Sequence, residues 1–247
     1  LEYSCFGPTP DAAPTLVLLH EGLGCTALWR DFPQKLARET GMGVFVYSRA
    51  GYGGSDPVEL PRPLDYMTRE AVNVLPELLD KIGFQSGALL GHSDGATIAA
   101  IYAGTILDER LCGLVLMAPH FFTEDIGLSA IADAKENFDN RDLRSRLAKY
   151  HSDVDSAFRG WNDSWLNPDF KAWNVADVLD NLNVPVLALQ GREDQYGTLA
   201  QIDVVAQKVS GSVTTAILEE CRHSPFLEKP AETMRAVVEF IARNEIS

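Results

Sequence analysis

The sequence has few cysteines and no long apolar run. The cysteines form no C-x-x-C pair and are widely separated, at Cys5, Cys25, Cys112 and Cys221. This distribution argues against a disulfide framework and a zinc site, and it is typical of the reducing cytoplasm. No stretch approaches the roughly 18 consecutive apolar residues that a membrane-spanning helix needs. We therefore predict a cytoplasmic protein without a membrane span.

Basic residues are also scarce relative to acidic ones. The chain has 35 Asp and Glu against 21 Lys and Arg, which gives a net charge of −14. Such a surface repels the phosphates of nucleic acids and of anionic lipids. We therefore expect neither nucleic acid nor a membrane as a partner. The expected partner is a small-molecule substrate, and the expected assembly is a monomer or a homodimer.

Strand and helix patterns alternate along the 247 residues. Short apolar runs bounded by glycine or polar residues predict strands at residues 15–20, 44–47, 88–90, 113–117 and 185–189, and a last strand is predicted at residues 213–218. Helical spacing of apolar residues occurs between these runs and after the last one. The alternation predicts an α/β fold with a mostly parallel central sheet and helices on both faces.

One long segment, residues 121–184, interrupts this alternation. It has a helical pattern, lacks a strand pattern and holds three of the four tryptophans. Because it begins and ends at strand ends, we predict a helical lid over the carboxyl edge of the sheet. The predicted domains are a core of residues 1–120 and 185–247 and a lid of residues 121–184.

The stretch GHSDG, residues 91–95, fits the pattern G-x-S-x-G. It joins a strand-like apolar run to an alanine-rich, helix-like run. This context is typical of a nucleophile elbow, a strained strand-to-helix turn that exposes a serine hydroxyl. The two glycines allow strand and helix to approach without a Cβ clash. We therefore predict Ser93 as a nucleophile rather than a structural turn residue.

A nucleophilic serine requires a base, and the base requires a group that orients it. His223 follows the last predicted strand, at the sheet edge where ligands bind in open α/β sheets. We predict His223 as the base. Asp194 lies just past another strand end and is the predicted acid, with Glu193 as the alternative. The backbone N–H of Asp94, at the start of the helix after Ser93, is the predicted first donor to an oxyanion.

With these motifs the sequence resembles the α/β-hydrolase-fold superfamily. It is most similar to the small lidded serine hydrolases, which include esterases, haloperoxidase-like proteins and carbon–carbon bond hydrolases. The stretches SRAGYGGSD, GHSDG, GRED and RHSPFLEKP carry the resemblance, which is weak in the predicted lid. The order serine, aspartate, histidine along the chain is also that of this fold. The resemblance implies that the lid is inserted after the sixth strand.

The resemblance also indicates a second oxyanion donor. Family members usually carry His-Gly-x after the first strong strand, with the amide of x as the donor, and x maps to Gly22. This chain has Glu21 where the glycine is expected, so the second donor is Gly22 or one of its neighbours. Arg222 likewise replaces a glycine that commonly precedes the catalytic histidine.

A serine nucleophile favours a substrate with an ester, thioester, lactone or activated ketone. We rank carboxylic ester hydrolysis first, with neither cofactor nor metal. The alternative is the carbon–carbon bond hydrolysis of ring-cleavage products. Those hydrolases usually place tryptophan directly after the histidine, where this chain has Ser224. A slow-turnover small-molecule receptor of the same fold is the alternative from another class.

The predicted pocket residues lie beside the nucleophile or just after a strand end. They are His92, Phe121 and Phe122. Aromatic, partly apolar walls favour small aromatic or short acyl groups.

Overall fold

Seven strands form one sheet in the computed structural model, which describes residues 1–246. The strands are β1 (Tyr3–Phe6), β2 (Thr15–Leu19), β3 (Gly43–Tyr47), β4 (Gly87–His92), β5 (Leu111–Met117), β6 (Val186–Gly191) and β7 (Val213–Leu218). Their order across the sheet is β1-β3-β2-β4-β5-β6-β7. All neighbouring pairs are parallel except β1 with β3. The predicted mostly parallel sheet is confirmed.

Helices cover both faces of the sheet. They are α1 (Phe32–Thr40), α2 (Tyr66–Arg69), α3 (Leu75–Lys81), α4 (Asp94–Thr105), α5 (Asp125–Asn140), α6 (Leu143–Leu147), α7 (Val154–Trp165), α8 (Ala200–Lys208), α9 (Pro225–Glu228) and α10 (Pro230–Arg243). Within residues 1–246, no helix has both the length and the apolar character that crossing a membrane requires.

The strand residues alternate between two apolar cores. In β2, Leu16 and Leu18 pack on the face that α1 and α10 cover. Val17 and Leu19 point to the opposite face, which packs against α3, α4 and α8. Because both faces are covered, every residue of β2 is buried. This explains why the parallel strands appear in the sequence as continuous apolar runs.

The first strand, β1, was not among the predicted strands. It lies at the edge of the sheet, where its residues alternate between exposed and half-buried positions. Tyr3, at 63% exposure, faces solvent. A four-residue edge strand of this kind lacks the continuous apolar run that marked the buried strands.

The segment of residues 121–184, called here the helical insertion, lies between β5 and β6 and contains α5, α6 and α7. It therefore follows the fifth strand of this sheet, which corrects the predicted position after the sixth. Buried side chains of the insertion, such as Phe158 and Trp165, belong to the same apolar cluster as one face of the sheet.

Candidate active site

Ser93 lies at the turn between β4 and α4. Its backbone has φ 54° and ψ −120°, a conformation that costs a non-glycine residue about 1–3 kcal/mol. The N–H of Ser93 donates to the carbonyl of Met117 at 2.9 Å. A Cβ at Gly95 would overlap the carbonyl oxygen of Leu19, so only glycine allows α4 to approach β2 this closely. The local geometry is that of the predicted elbow.

His223 and Asp194 meet at the same edge of the sheet, after β7 and β6. His223 Nδ1 lies 2.9 Å from Asp194 Oδ1 and 2.8 Å from Oδ2. Asp194 Oδ1 also accepts the N–H of Tyr196 at 2.8 Å. Burial raises the pKa of Asp194, but His223 and this N–H outweigh it and hold the pKa below its usual value. Glu193 is exposed, so the structure pairs His223 with Asp194 rather than with the alternative.

Two further side chains hold the loop that carries His223. The carboxylate of Glu228 accepts the N–H groups on either side of the histidine, from Arg222 at 2.9 Å and from Ser224 at 3.0 Å. His92 Nε2 lies 2.7 Å from the carbonyl oxygen of His223, so Nε2 carries the proton and donates it. The position of the imidazole is therefore fixed through its main chain as well as through Asp194.

The half-buried Glu21 and the buried His92 form a pair next to this loop. Glu21 Oε2 lies 3.4 Å from His92 Nδ1. Burial lowers the pKa of His92, but the Glu21 carboxylate and the His223 carbonyl outweigh it, so the pKa is raised. For Glu21, burial raises the pKa, and His92 more than reverses this. The pair thus favours an imidazolium beside a carboxylate.

The loop that follows β2 is held by Arg49, which is buried. Its guanidinium donates to the carbonyls of His20 and Glu21. The N–H of Arg49 donates to His20 Nε2 at 3.0 Å, while His20 Nδ1 donates to the Glu21 carbonyl at 2.7 Å. Burial and the charge of Arg49 hold the pKa of His20 well below its usual value, so this imidazole is neutral. These hydrogen bonds fix the position of the loop beside the site.

A small cavity of about 80 Å³ opens at this edge of the sheet. Its walls include four predicted site residues, namely Gly22, Ser93, Asp94 and His223. Asp194 lies behind His223, on the side of the imidazole that carries Nδ1. The structure therefore brings together the predicted nucleophile, base and acid. The directions of the Gly22 and Asp94 N–H groups toward an oxyanion stay predictions.

The structure does not bring the three predicted pocket residues to this cavity. Phe121 is fully buried in the core, where its N–H donates to Gln201. Phe122 packs against that core and forms an isolated bridge with Asn174. His92 lies behind the His223 loop, with its ring 5.4 Å from that of Phe226. A position beside a strand end was not sufficient to place these side chains in the pocket.

Other residues form the remaining walls of the cavity. They are Glu21, Leu23, His120, Ile131, Trp161, Trp165 and Tyr196. Trp161 and Trp165 are one turn apart in α7, and this spacing is the sequence signal that places both on one helix face. The ring of Trp161 lies against Gly22, where a Cβ would overlap it. Burial, and then the charge of His223, lower the pKa of His120 to about 3, so its ring is an uncharged wall.

The arrangement has the parts that nucleophilic catalysis requires. A strained serine and a histidine line one cavity, and a buried carboxylate orients the histidine. Among residues 1–246, no group of three or more His, Cys, Asp or Glu side chains is placed to hold a metal ion.

Sequence comparisons identify the family of the chain. A sequence model described as the alpha/beta hydrolase family matches residues 16–236. The pimeloyl-[acyl-carrier protein] methyl ester esterase of Aeromonas hydrophila is 26% identical over 259 residues, covering 96% of this chain and 97% of that protein. The monoacylglycerol lipase ABHD6 of Mus musculus is 30% identical over 70 residues, or 28% of this chain, and the match spans only 20% of that protein.

A comparison of folds finds solved structures with the same architecture. The crystal structure of a proline iminopeptidase from Mycobacterium smegmatis superposes with a TM-score of 0.76 at 20% identity, covering 98% of this chain and 94% of that one. At that identity the likeness shows the fold alone. The family match extends over most of the sequence, and it confirms the resemblance inferred from the motifs. The chain belongs to the alpha/beta hydrolase family.

Proposed function

We propose that the protein is a serine hydrolase that cleaves small carboxylic esters, or the related thioesters and lactones. One observation carries this proposal. Ser93 and His223 line one small cavity, while Asp194 binds the Nδ1 side of the imidazole. This is the spatial order in which a carboxylate orients a base and the base activates a hydroxyl.

The proposed reaction has two halves. His223 Nε2 takes the hydroxyl proton as Ser93 Oγ attacks the substrate carbonyl, and the imidazolium then gives this proton to the leaving alcohol. Water hydrolyses the resulting ester of Ser93 by the same steps, which releases the acid and restores the hydroxyl. Asp194 stays ionised throughout, because its lowered pKa keeps it a carboxylate near neutral pH.

The oxyanion of each tetrahedral intermediate needs N–H donors. We assign the N–H of Asp94, which opens α4 and has no acceptor within that helix. The second assigned donor is the N–H of Gly22. Support for it comes from the position of Gly22 on the cavity wall and from the Arg49 contacts that fix this loop. Donors fixed in advance stabilise the developing charge without reorganisation.

The size of the cavity favours a small acyl group. Its volume of about 80 Å³ is well below that of sites for drug-sized ligands. Ile131, Trp161 and Trp165 of the helical insertion form part of its walls, so we propose that residues 121–184 act as a lid. The esterase relative from Aeromonas hydrophila supports an ester as the substrate class.

The remaining proposals concern the setting of the reaction. We propose a cytoplasmic location, which the four free thiols of the chain support. The proposed partner is a small-molecule substrate, with neither nucleic acid nor a membrane involved, because the net charge is −14.

The proposal is tested by pre-steady-state kinetics with p-nitrophenyl acetate, butyrate and octanoate. We expect a burst of one p-nitrophenol per active site, followed by turnover that is fastest for the shortest acyl chain. The Ser93→Ala variant, folded as judged by circular dichroism, should show neither phase. A stoichiometric burst without later turnover would contradict an enzyme and favour a slow receptor. Equal activity of Ser93→Ala would contradict the proposed nucleophile.

A further inference from the structure

The proposed reaction does not explain the buried carboxylate of Asp94. Only the N–H of this residue has a proposed role, yet its side chain is fully buried and the residue lines the same cavity as Ser93. Oδ2 accepts the hydroxyl of Tyr66 at 2.5 Å. Oδ1 has no hydrogen-bond partner among residues 1–246. A buried carboxylate oxygen without a donor is costly, and it is uncommon in folded proteins.

The donors around Asp94 have acceptors other than Oδ1. Trp165 Nε1 donates to the Tyr66 hydroxyl at 3.0 Å, so the hydroxyl proton of Tyr66 is directed to Asp94 Oδ2. The guanidinium of Arg49 donates to the carbonyls of His20 and Glu21. Burial raises the pKa of Asp94, while the charge of Arg49, the Tyr66 hydroxyl and the indole N–H of Trp165 oppose this increase. Oδ1 itself accepts no hydrogen bond from residues 1–246, so none has to break when a donor from the substrate binds it.

The other walls suit a cationic donor. The carboxylate-bearing Glu21 also lines the cavity, and none of the described lining residues is Lys or Arg. Trp161, Trp165 and Tyr196 supply aromatic rings, whose faces attract cations. The net charge of −14 disfavours anions at low salt but favours the approach of cations.

We propose that the substrate carries a protonated amine next to the scissile carbonyl, and that Asp94 Oδ1 binds this ammonium group. Because Ser93 and Asp94 are adjacent in sequence and share one small cavity, the amine lies within a few bonds of the carbonyl. The substrate class is thus a 2-aminoacyl ester. This inference rests on the proposed function, since it assumes that Ser93 attacks the carbonyl.

Three methyl esters of nearly equal shape test the inference. They are alanine methyl ester, methyl lactate and methyl 2-methylpropanoate, which place an ammonium, a hydroxyl or a methyl group at one position. The assay is run at pH 7, below the usual amine pKa of about 7.7–8.0. We expect kcat/KM for the ammonium ester to exceed that of the methyl isostere by roughly 10- to 100-fold, the effect of one hydrogen bond to a charged group.

Variants assign this preference to the carboxylate. Asp94→Asn keeps the shape and removes the charge, so the ratio of kcat/KM between ammonium and methyl esters should fall toward one. Tyr66→Phe is the matched control, because it removes a neighbour of the carboxylate and keeps the charge, and it should retain the preference. The inference is overturned if Asp94→Asn keeps the wild-type ratio. It is also overturned if methyl lactate matches the ammonium ester, which would show that charge has no role.

A binding measurement separates this inference from the proposed function. Alaninamide should protect Ser93 from a fluorophosphonate reagent at lower concentration than 2-methylpropanamide does, in wild type and not in Asp94→Asn. If the ammonium compound protects but no ester is hydrolysed, the ammonium site stands and the esterase proposal fails. If neutral esters are hydrolysed and the two amides protect equally, the esterase proposal stands and the ammonium site fails.

Discussion

Replacing Asp194 with asparagine tests the proposed orienting carboxylate with almost no change in shape. Asp194 Oδ1 accepts the N–H of Tyr196 at 2.8 Å, which fixes the asparagine oxygen at that position. The amide NH2 then takes the place of Oδ2, 2.8 Å from His223 Nδ1. An NH2 group cannot accept a proton, so the 2.8 Å contact remains a hydrogen bond only if Nδ1 accepts, which moves the ring proton to Nε2. The oxygen at the Oδ1 position, 2.9 Å from Nδ1, is already shared with the N–H of Tyr196. Nε2 is then unable to take the Ser93 proton.

The magnitude follows from the loss of the correct tautomer. In the Ser-His-Asp arrangement this substitution lowers kcat by roughly 10⁴, equivalent to about 5.4 kcal/mol of transition-state stabilisation. We expect an effect of that order on the hydrolysis of p-nitrophenyl acetate. The Tyr196 contact is kept, so the melting temperature should change by only a few degrees.

Glu193→Gln is the matched control, because the neighbouring carboxylate is exposed. We expect its kcat to equal that of the wild type. Loss of activity in Glu193→Gln together with normal activity in Asp194→Asn would refute the assignment and show that the other carboxylate orients His223.

Four other perturbations follow from the contacts of the site and of the core. Because folding raises the pKa of His92, this residue stabilises the fold below about pH 6.5, and the contribution is lost as pH rises through the folded-state pKa. Because folding lowers the pKa of Glu21, this residue stabilises the fold above about pH 4.5, and the contribution is lost as pH falls through the folded-state pKa. Thermal melts from pH 4 to 9 should therefore show a maximum between these limits, and Glu21→Gln should flatten the decline on the alkaline side; an unchanged profile would contradict the pairing. Phe121→Ala removes a fully buried ring, which costs about 3–5 kcal/mol and lowers Tm by roughly 6–20 °C, without altering the order of ester preference. Trp161→Phe should instead change the order of ester preference, because the Trp161 ring lines the cavity. If Phe121→Ala changed that order and Trp161→Phe did not, Phe121 rather than Trp161 would shape the pocket. Glu228→Ala removes the acceptor that holds both N–H groups beside the histidine and should lower kcat about tenfold, the effect of roughly 1.4 kcal/mol, while an unchanged kcat would show that Asp194 and His92 suffice.

Local patterns in the sequence predicted the parts of the molecule that depend on local chemistry. The parallel strands β2 to β6 were predicted because nearly all of their residues are buried, which leaves a continuous apolar run. The residues of β7 are mostly half-buried, and its run is interrupted by two threonines. The elbow at Ser93 was predicted because it needs glycine nearby for close packing of β4 and α4. Asp194 and His223 were predicted because parallel strands end at one edge of the sheet.

The cavity walls depend on contacts between distant parts of the chain, and here prediction from sequence was incomplete. Trp161 and Trp165 have the same helical spacing as ordinary core residues, so only the packing of α7 shows that they line the cavity. Arg49 appears in the sequence as one residue of a glycine-rich loop, and its contacts with the carbonyls of His20 and Glu21 require the folded chain. Phe121 was predicted in the pocket from its position after a strand. The structure instead buries its ring in the core, and its N–H donates to the side chain of Gln201 in α8.

The most direct test of a covalent intermediate on Ser93 is peptide mapping after reaction with a fluorophosphonate. The account predicts one adduct per chain, located on Ser93, and no adduct after prior blocking of the site or in Ser93→Ala. It also predicts that ester hydrolysis is lost in proportion to the fraction of labelled protein. An adduct on another residue, or active protein that the reagent does not modify, would contradict the central claim.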